Sequence, residues 1–207
     1  MRSGGKLNLA VLASGNGSNL QALINECEAG RIDAEIAIVI SDNPDAKALQ
    51  RARKHSIQAV ALEREKFGLR EEFDSALAGA AKEAGADLVC LAGFMRLVSP
   101  AFIDQFNGWV VNIHPALLPS FPGLKAQKQA LDYGVRISGC TVHFVDEGVD
   151  TGPIILQAAV EVSPDDTVET LSARILKQEH LLYPKAIQLI AKGAVKPGSG
   201  RKAVAPH

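Results

Sequence analysis

Apolar positions along the chain fall into two alternating kinds of pattern. Short, almost unbroken apolar runs occur at Leu7–Ala13, Glu35–Ser41 (EIAIVIS), Ile57–Leu62, Asp87–Ala92 (DLVCLA) and Trp109–Val111. Between them the apolar residues recur every three to four positions, as on one helix face. Leu20, Leu23, Ile24 and Cys27 form such a stripe, closed by Gly30. Phe73, Ala76, Leu77, Ala80, Ala81 and Ala84 form a second, closed by Gly85. A further helix is expected over roughly 46–55, and a short one from about Pro100. Strands apolar on both faces and alternating with helices predict an α/β fold: a mostly parallel, doubly wound, Rossmann-like sheet with helices on both faces.

Past Pro122-Gly123 a helix is expected to about Tyr133, closed by Gly134. Ser138–Val145 and Ile154–Val162 then alternate as strands and predict an antiparallel C-terminal hairpin. The Asp146–Pro153 connection is longer than the two to five residues or so that a hairpin commonly uses. Asp166 and Glu169 read as a capping box for a last helix carrying Val168, Leu171 and Ile175. Pro184 is expected to end or kink that helix before Ala186–Ala191 resumes it. The whole of 1–207 reads as a single domain, with loosely ordered tails at 1–6 and 193–207.

Composition narrows the function classes. With 47% hydrophobic and 22% charged residues and a formal net charge of −1, there is no electrostatic case for nucleic acid or a membrane surface. No apolar run approaches the ~20 residues of a membrane span. Residues 1–6 (MRSGGK) lead into no signal-type cleavage site, and a cytoplasmic location is expected. Cys27, Cys90 and Cys140 are odd in number and widely spaced, which suggests buried hydrophobes rather than a disulfide framework or zinc site. No cluster has metal-ligand spacing, so no metal is expected.

Two stretches carry candidate chemistry. Ser14-Gly15-Asn16-Gly17-Ser18-Asn19 lies between the first strand and first helix, where glycines let the backbone close on an anion and free helix N–H groups attract it. A tight turn with an ordinary N-cap is the plainer reading. A dinucleotide site is the rival, since Asp42 ends the next strand, but Leu20 stands where its third glycine belongs. The second stretch is Val110–Pro119, in which Asn112 and His114, two apart, share a face if the strand continues. At the carboxyl end of a buried strand, an amide and a titratable ring can hold an oxyanion and exchange a proton with it. The alternative is a turn cap and a core histidine. Asp146 and Glu147 read as a solvated loop tip, whereas Asp150, between Val149 and Thr151-Gly152-Pro153, reads as more constrained.

Taken together, SGNGSNLQA (14–22), LAGFMR (91–96), NIHPALLPSFPG (112–123), HFVDEGVDTGPIILQ (143–157) and QEHLLYP (178–184) are similar to the phosphoribosylglycinamide formyltransferases. These are folate-dependent enzymes of purine synthesis, and the likeness runs from about Leu7 to Ala191. The resemblance implies transfer of a formyl group from 10-formyltetrahydrofolate, a co-substrate, to the amine of glycinamide ribonucleotide. It implies Gly17, Ser18 and Asn19 at the phosphate, Glu179 at the ribose, and Arg70, Met95, Arg96, Leu97, Val98 and Asn112 at the folate. Asn112, His114 and Asp150 become the catalytic set, with Asp150 favouring the imidazolium of His114 or relaying a proton. Partners are then small molecules only; oligomeric state stays open. Two related families share the Asn/His/Asp chemistry: methionyl-tRNA formyltransferase, with a further RNA-binding domain, and formyltetrahydrofolate deformylase, with a regulatory one. This sequence is expected to have room for neither domain. It departs from the enzymes it resembles at Lys125-Ala126-Gln127, where they often carry histidines.

Overall fold

The computed structural model describes residues 5–198; the outer parts of the two expected tails lie outside them. Its strands are β1 (Leu7–Leu12), β2 (Ala34–Ser41), β3 (Gln58–Ala61), β4 (Leu88–Leu91), β5 (Val110–His114), β6 (Ile137–Phe144) and β7 (Ile154–Glu161). Its helices are α1 (Ser18–Glu28), α2 (Lys47–Lys54), α3 (Arg70–Glu83), α4 (Pro100–Asp104), α5 (Ala126–Tyr133) and α6 (Val168–Ala191). One sheet holds all seven strands in the order β3-β2-β1-β4-β5-β6-β7. The first five are parallel, and β6 and β7 complete the sheet antiparallel.

Successive residues of β1 feed opposite cores, as a strand buried on both faces requires. Leu9 and Val11 pack with Leu20, Leu23, Leu49, Tyr183 and Ile187 beneath α1, α2 and α6. Ala10 and Leu12 pack with Phe73, Leu77 and Phe102 beneath α3 and α4. The chain winds from β1 out to β3, then returns to lay β4 and β5 on the other side, so the winding reverses between β1 and β4. Ligands of open α/β sheets bind beyond the strand ends at such a reversal. There Ser14 N–H donates to Gly93 O at 3.1 Å, and Ser14 Oγ accepts from Met95 N–H at 2.9 Å.

Two local readings need correction. The cap of α6 is Thr167, which accepts from Thr170 N–H, because Asp166 is engaged by Arg174, the Thr170 hydroxyl and Ser163 N–H. Pro184 neither ends α6 nor divides it. A proline inside a helix costs about 3 kcal/mol or more, but each large buried side chain contributes about 1.5–3 kcal/mol. Leu182, Tyr183, Ile187 and Ile190 are all buried on the two sides of it. A 3-10 turn at Arg64–Lys66, too short to show a period, fills part of the β3–α3 connection.

Candidate active site

Leu12, Leu91 and Asn112 lie level across β1, β4 and β5, and β5 overruns its neighbours to His114. Asn112 and His114 share the face of Val110, toward α3, while Val111 and Ile113 fill the opposite core. Asn112 is paired across the sheet with His143 of β6, and His114 with Thr141. In this antiparallel register the β6–β7 connection opens beside the start of β5. Its residues must therefore fold back over the sheet face for Asp150 to reach His114, which accounts for its unusual length.

Asp150 joins the cluster. Its Oδ2 lies 3.2 Å from His114 Nδ1 and accepts from Gly123 N–H at 2.8 Å. Its Oδ1 accepts from Asn112 Nδ2 at 3.4 Å and lies 3.5 Å from His143 Nε2. Burial pushes the carboxyl pKa up, but His143, the Gly123 N–H and His114 outweigh it and hold Asp150 below the ordinary carboxylate range. His114 is only 4% exposed. Burial pushes its pKa down; the Asp150 charge and the Phe121 carbonyl push it up, and burial prevails. The carboxylate thus acts in the expected direction without raising the ring above the ordinary histidine range. Both ring nitrogens face acceptors, since Nε2 lies 2.8 Å from Phe121 O. Only the imidazolium can donate to both at once.

The anion turn is held from three sides. Gly17 is left-handed at φ +69, and a Cβ there would lie 2.8 Å from Ala48, so only glycine lets α1 and α2 approach this closely. No side chain caps α1 and its first turn carries no acid, which leaves its leading N–H groups free for an anion. Arg51 donates to Asn16 O at 2.8 Å, to Asn16 Oδ1 at 3.3 Å and to Gln21 Oε1 at 3.1 Å. Asn19 Nδ2 donates to Glu179 Oε2 at 2.7 Å, and both residues are buried. The Glu179 pKa is raised by burial, against the pull of that hydrogen bond.

Across the crevice, Arg70 donates to Leu97 O at 2.9 Å and Arg96 to Asp42 Oδ2 at 2.6 Å. Met95 and Leu97 are 65% and 62% exposed, whereas Val98 is buried in the α3-side core. Arg96 also lies 3.3 Å from Glu65 Oε1, so two carboxylates meet its guanidinium. Asp146 is exposed but not free: its Oδ1 accepts from Gly148 N–H and the Thr151 hydroxyl. Among the described residues, no three His, Cys, Asp or Glu side chains are grouped to hold a metal, and no helix is long and apolar enough to cross a membrane.

Sequence reasoning missed His143 and Arg51. The inward parity of a strand-like run carried a signal for His143, cross-strand from Asn112; Arg51 had none beyond a basic helix. At 125–127, Lys125 is left-handed before α5 and Ala126 is buried.

A fold of this winding, with an amide, an imidazole and a carboxylate at its strand ends, defines a class: the chain belongs to the formyl transferase family, whose model matches residues 7–187. Its relatives there include phosphoribosylglycinamide formyltransferase of Escherichia coli, 44% identical over 92% of this chain and 90% of that protein. A solved structure of glycinamide ribonucleotide transformylase 1 from Symbiobacterium toebii superposes with a TM-score of 0.95 at 50% identity, covering 99% of this chain and 96% of that one. The chain is also 47% identical, over 95% of its length, to the trifunctional purine biosynthetic protein adenosine-3 of Gallus gallus, but spans only 20% of that protein.

Proposed function

We propose that this chain transfers the formyl group of 10-formyltetrahydrofolate to the amine of glycinamide ribonucleotide. The observation that carries the reading is the placement of Asp150 between His114 and Asn112, at the same sheet end as the anion turn. In this reading the Gly17, Ser18 and Asn19 turn takes the phosphate and Glu179 the ribose. Arg70, Arg96 and the exposed Met95 and Leu97 take the folate, with Val98 anchoring that segment and Asn112 facing the formyl group.

Attack of the amine on the formyl carbon gives a tetrahedral species with negative charge on oxygen. Asn112 Nδ2 donates to that oxygen, and developing charge there draws a proton onto His114 against the effect of burial. Presenting His114 Nε2–H to the oxygen requires release of Phe121 O. A carboxylate held below its ordinary range is a poor proton acceptor, so Asp150 acts chiefly by opposing the charge of the imidazolium rather than by relaying the amine proton. Collapse of the tetrahedral species breaks the bond between the formyl carbon and the folate nitrogen, which takes up, by way of solvent, the proton given up by the attacking amine, and tetrahydrofolate leaves.

The test is one incubation: purified protein with 10-formyltetrahydrofolate, with and without glycinamide ribonucleotide. Tetrahydrofolate release that depends on the ribonucleotide is expected. Equal release with water alone would overturn the reading in favour of hydrolysis, and no release with tight ribonucleotide binding would reduce the chain to a binding module.

A further inference from the structure

We propose that Asp146 and Thr151 are positioning residues, forming a clasp inside the 146–152 loop that sets the Asp150 carboxylate against His114 before substrate arrives. The inference rests on the reading of Asp150 as part of the transfer site.

Asp150 has a left-handed backbone, φ +54. A side chain in that region costs roughly 1–2 kcal/mol and persists only where the surroundings dictate it. Outside the loop, Gly123 N–H and His114 meet the carboxylate itself, but residues 149–152 also line an open recess with Leu118, Pro119, Pro122 and Ile154. A second constraint, on the backbone at Asp150, comes from within the loop. Asp146 Oδ1 accepts from Gly148 N–H at 3.1 Å and from Thr151 Oγ1 at 2.7 Å, tying the first residue of the loop to the one that follows Asp150. A Cβ on Gly148 would collide with Thr151 Oγ1, so this glycine makes room for the clasp, while one on Gly152 would collide with Phe144 O, where the loop returns to the end of β6. Both clasp residues are exposed and neither hydrogen-bonds to Asn112, His114 or His143. Their effect on the reaction passes through Asp150.

Thr151→Val and Asp146→Ala delete the clasp, while Thr151→Ser and Asp146→Asn keep a hydroxyl donor and a carbonyl-type acceptor in the same places. A lost hydrogen bond of this kind converts to about tenfold in rate. Thr151→Val and Asp146→Ala are therefore expected to lower kcat about tenfold and leave the ribonucleotide KM within about twofold. The conservative pair should recover at least half of the wild-type kcat. The specific readout is the His114 ring pKa by NMR. The charged or titratable groups facing that ring are Asp150 and His143. With Asp150 displaced, the pKa should fall toward that of Asp150→Asn. Wild-type kcat and an unmoved His114 pKa in Thr151→Val and Asp146→Ala, with Asp150→Asn impaired, would overturn the clasp. So would a lowered Tm without movement of that pKa. Full activity of Asp150→Asn would instead remove the site reading itself.

Discussion

At His114 burial and charge oppose one another within a single ring. Desolvation favours the neutral form, while Asp150 and the Phe121 carbonyl favour the imidazolium. Substrate charge can tip that balance, as a fully exposed or fully compensated histidine would not allow. His114→Ala is expected to lower kcat by about 10²–10³ with the ribonucleotide KM little changed, the usual consequence of deleting an oxyanion donor; equal losses in both constants would mark the residue as structural. The same ring makes a stability prediction. Its folded pKa lies below the unfolded value of about 6.5, so acidification below that point protonates the unfolded chain first. Any stability advantage of wild type over His114→Gln in urea titrations should shrink between pH 7.5 and pH 5.5. A constant difference would show that the ring is not held neutral in the fold.

The α1–α6 contact joins the anion turn to the carboxylate of Glu179, at a cost to stability. Glu179 is 7% exposed, and Asn19 Oδ1 is buried without a hydrogen-bond partner among the described residues. Because the folded pKa is raised, the native state carries a penalty at neutral and alkaline pH that disappears as pH falls through the folded pKa. Glutamine carries no such penalty, and its Oε1 can still accept from Asn19 Nδ2. Glu179→Gln is expected to raise Tm most at pH 8, by an amount that shrinks on acidification, and to raise the ribonucleotide KM. A lower Tm across the whole pH range would refute this account. Elements themselves were readable from the sequence because their signals are local. Unbroken apolar runs marked β1, β2 and β4, and Gly30, Gly85 and Gly134 closed their helices with left-handed backbones. What was not readable depends on partners distant in sequence. Nothing near Asp166 shows that Arg174 will take its carboxylate away from the helix cap, and nothing near Pro184 shows how much side-chain burial surrounds it. The candidate site divides the same way. The Gly17–Asn19 turn and the Asn112/His114 pair stand out in their own segments, whereas His143 and Arg51 matter only once β6 lies beside β5 and α2 beside the turn.

Over the whole molecule, the winding reversal brings two binding shores to one crevice from separate parts of the chain. α1, α2 and α6 build the anion side; α3 and the Met95–Val98 segment build the other, bridged at Ser14 and Gly93. Residues without shared partners act additively to within a few tenths of a kcal/mol. Arg51 and Arg70 share none. Arg51→Ala should therefore raise KM for the ribonucleotide alone, Arg70→Ala should raise KM for the folate alone, and the double variant should show the product of the two effects. Strong non-additivity in steady-state kinetics would mean that the two shores move together.

The return of the 146–152 loop across the sheet makes its length a ruler. Because the hairpin starts beside one end of β5 and must deliver an acid to the other, one residue more or fewer would shift the carboxylate by about 3 Å, a strand's rise per residue. That is enough to part it from the imidazole. Insertions tolerated at ordinary hairpin tips should therefore abolish the proposed transfer while leaving the sheet intact.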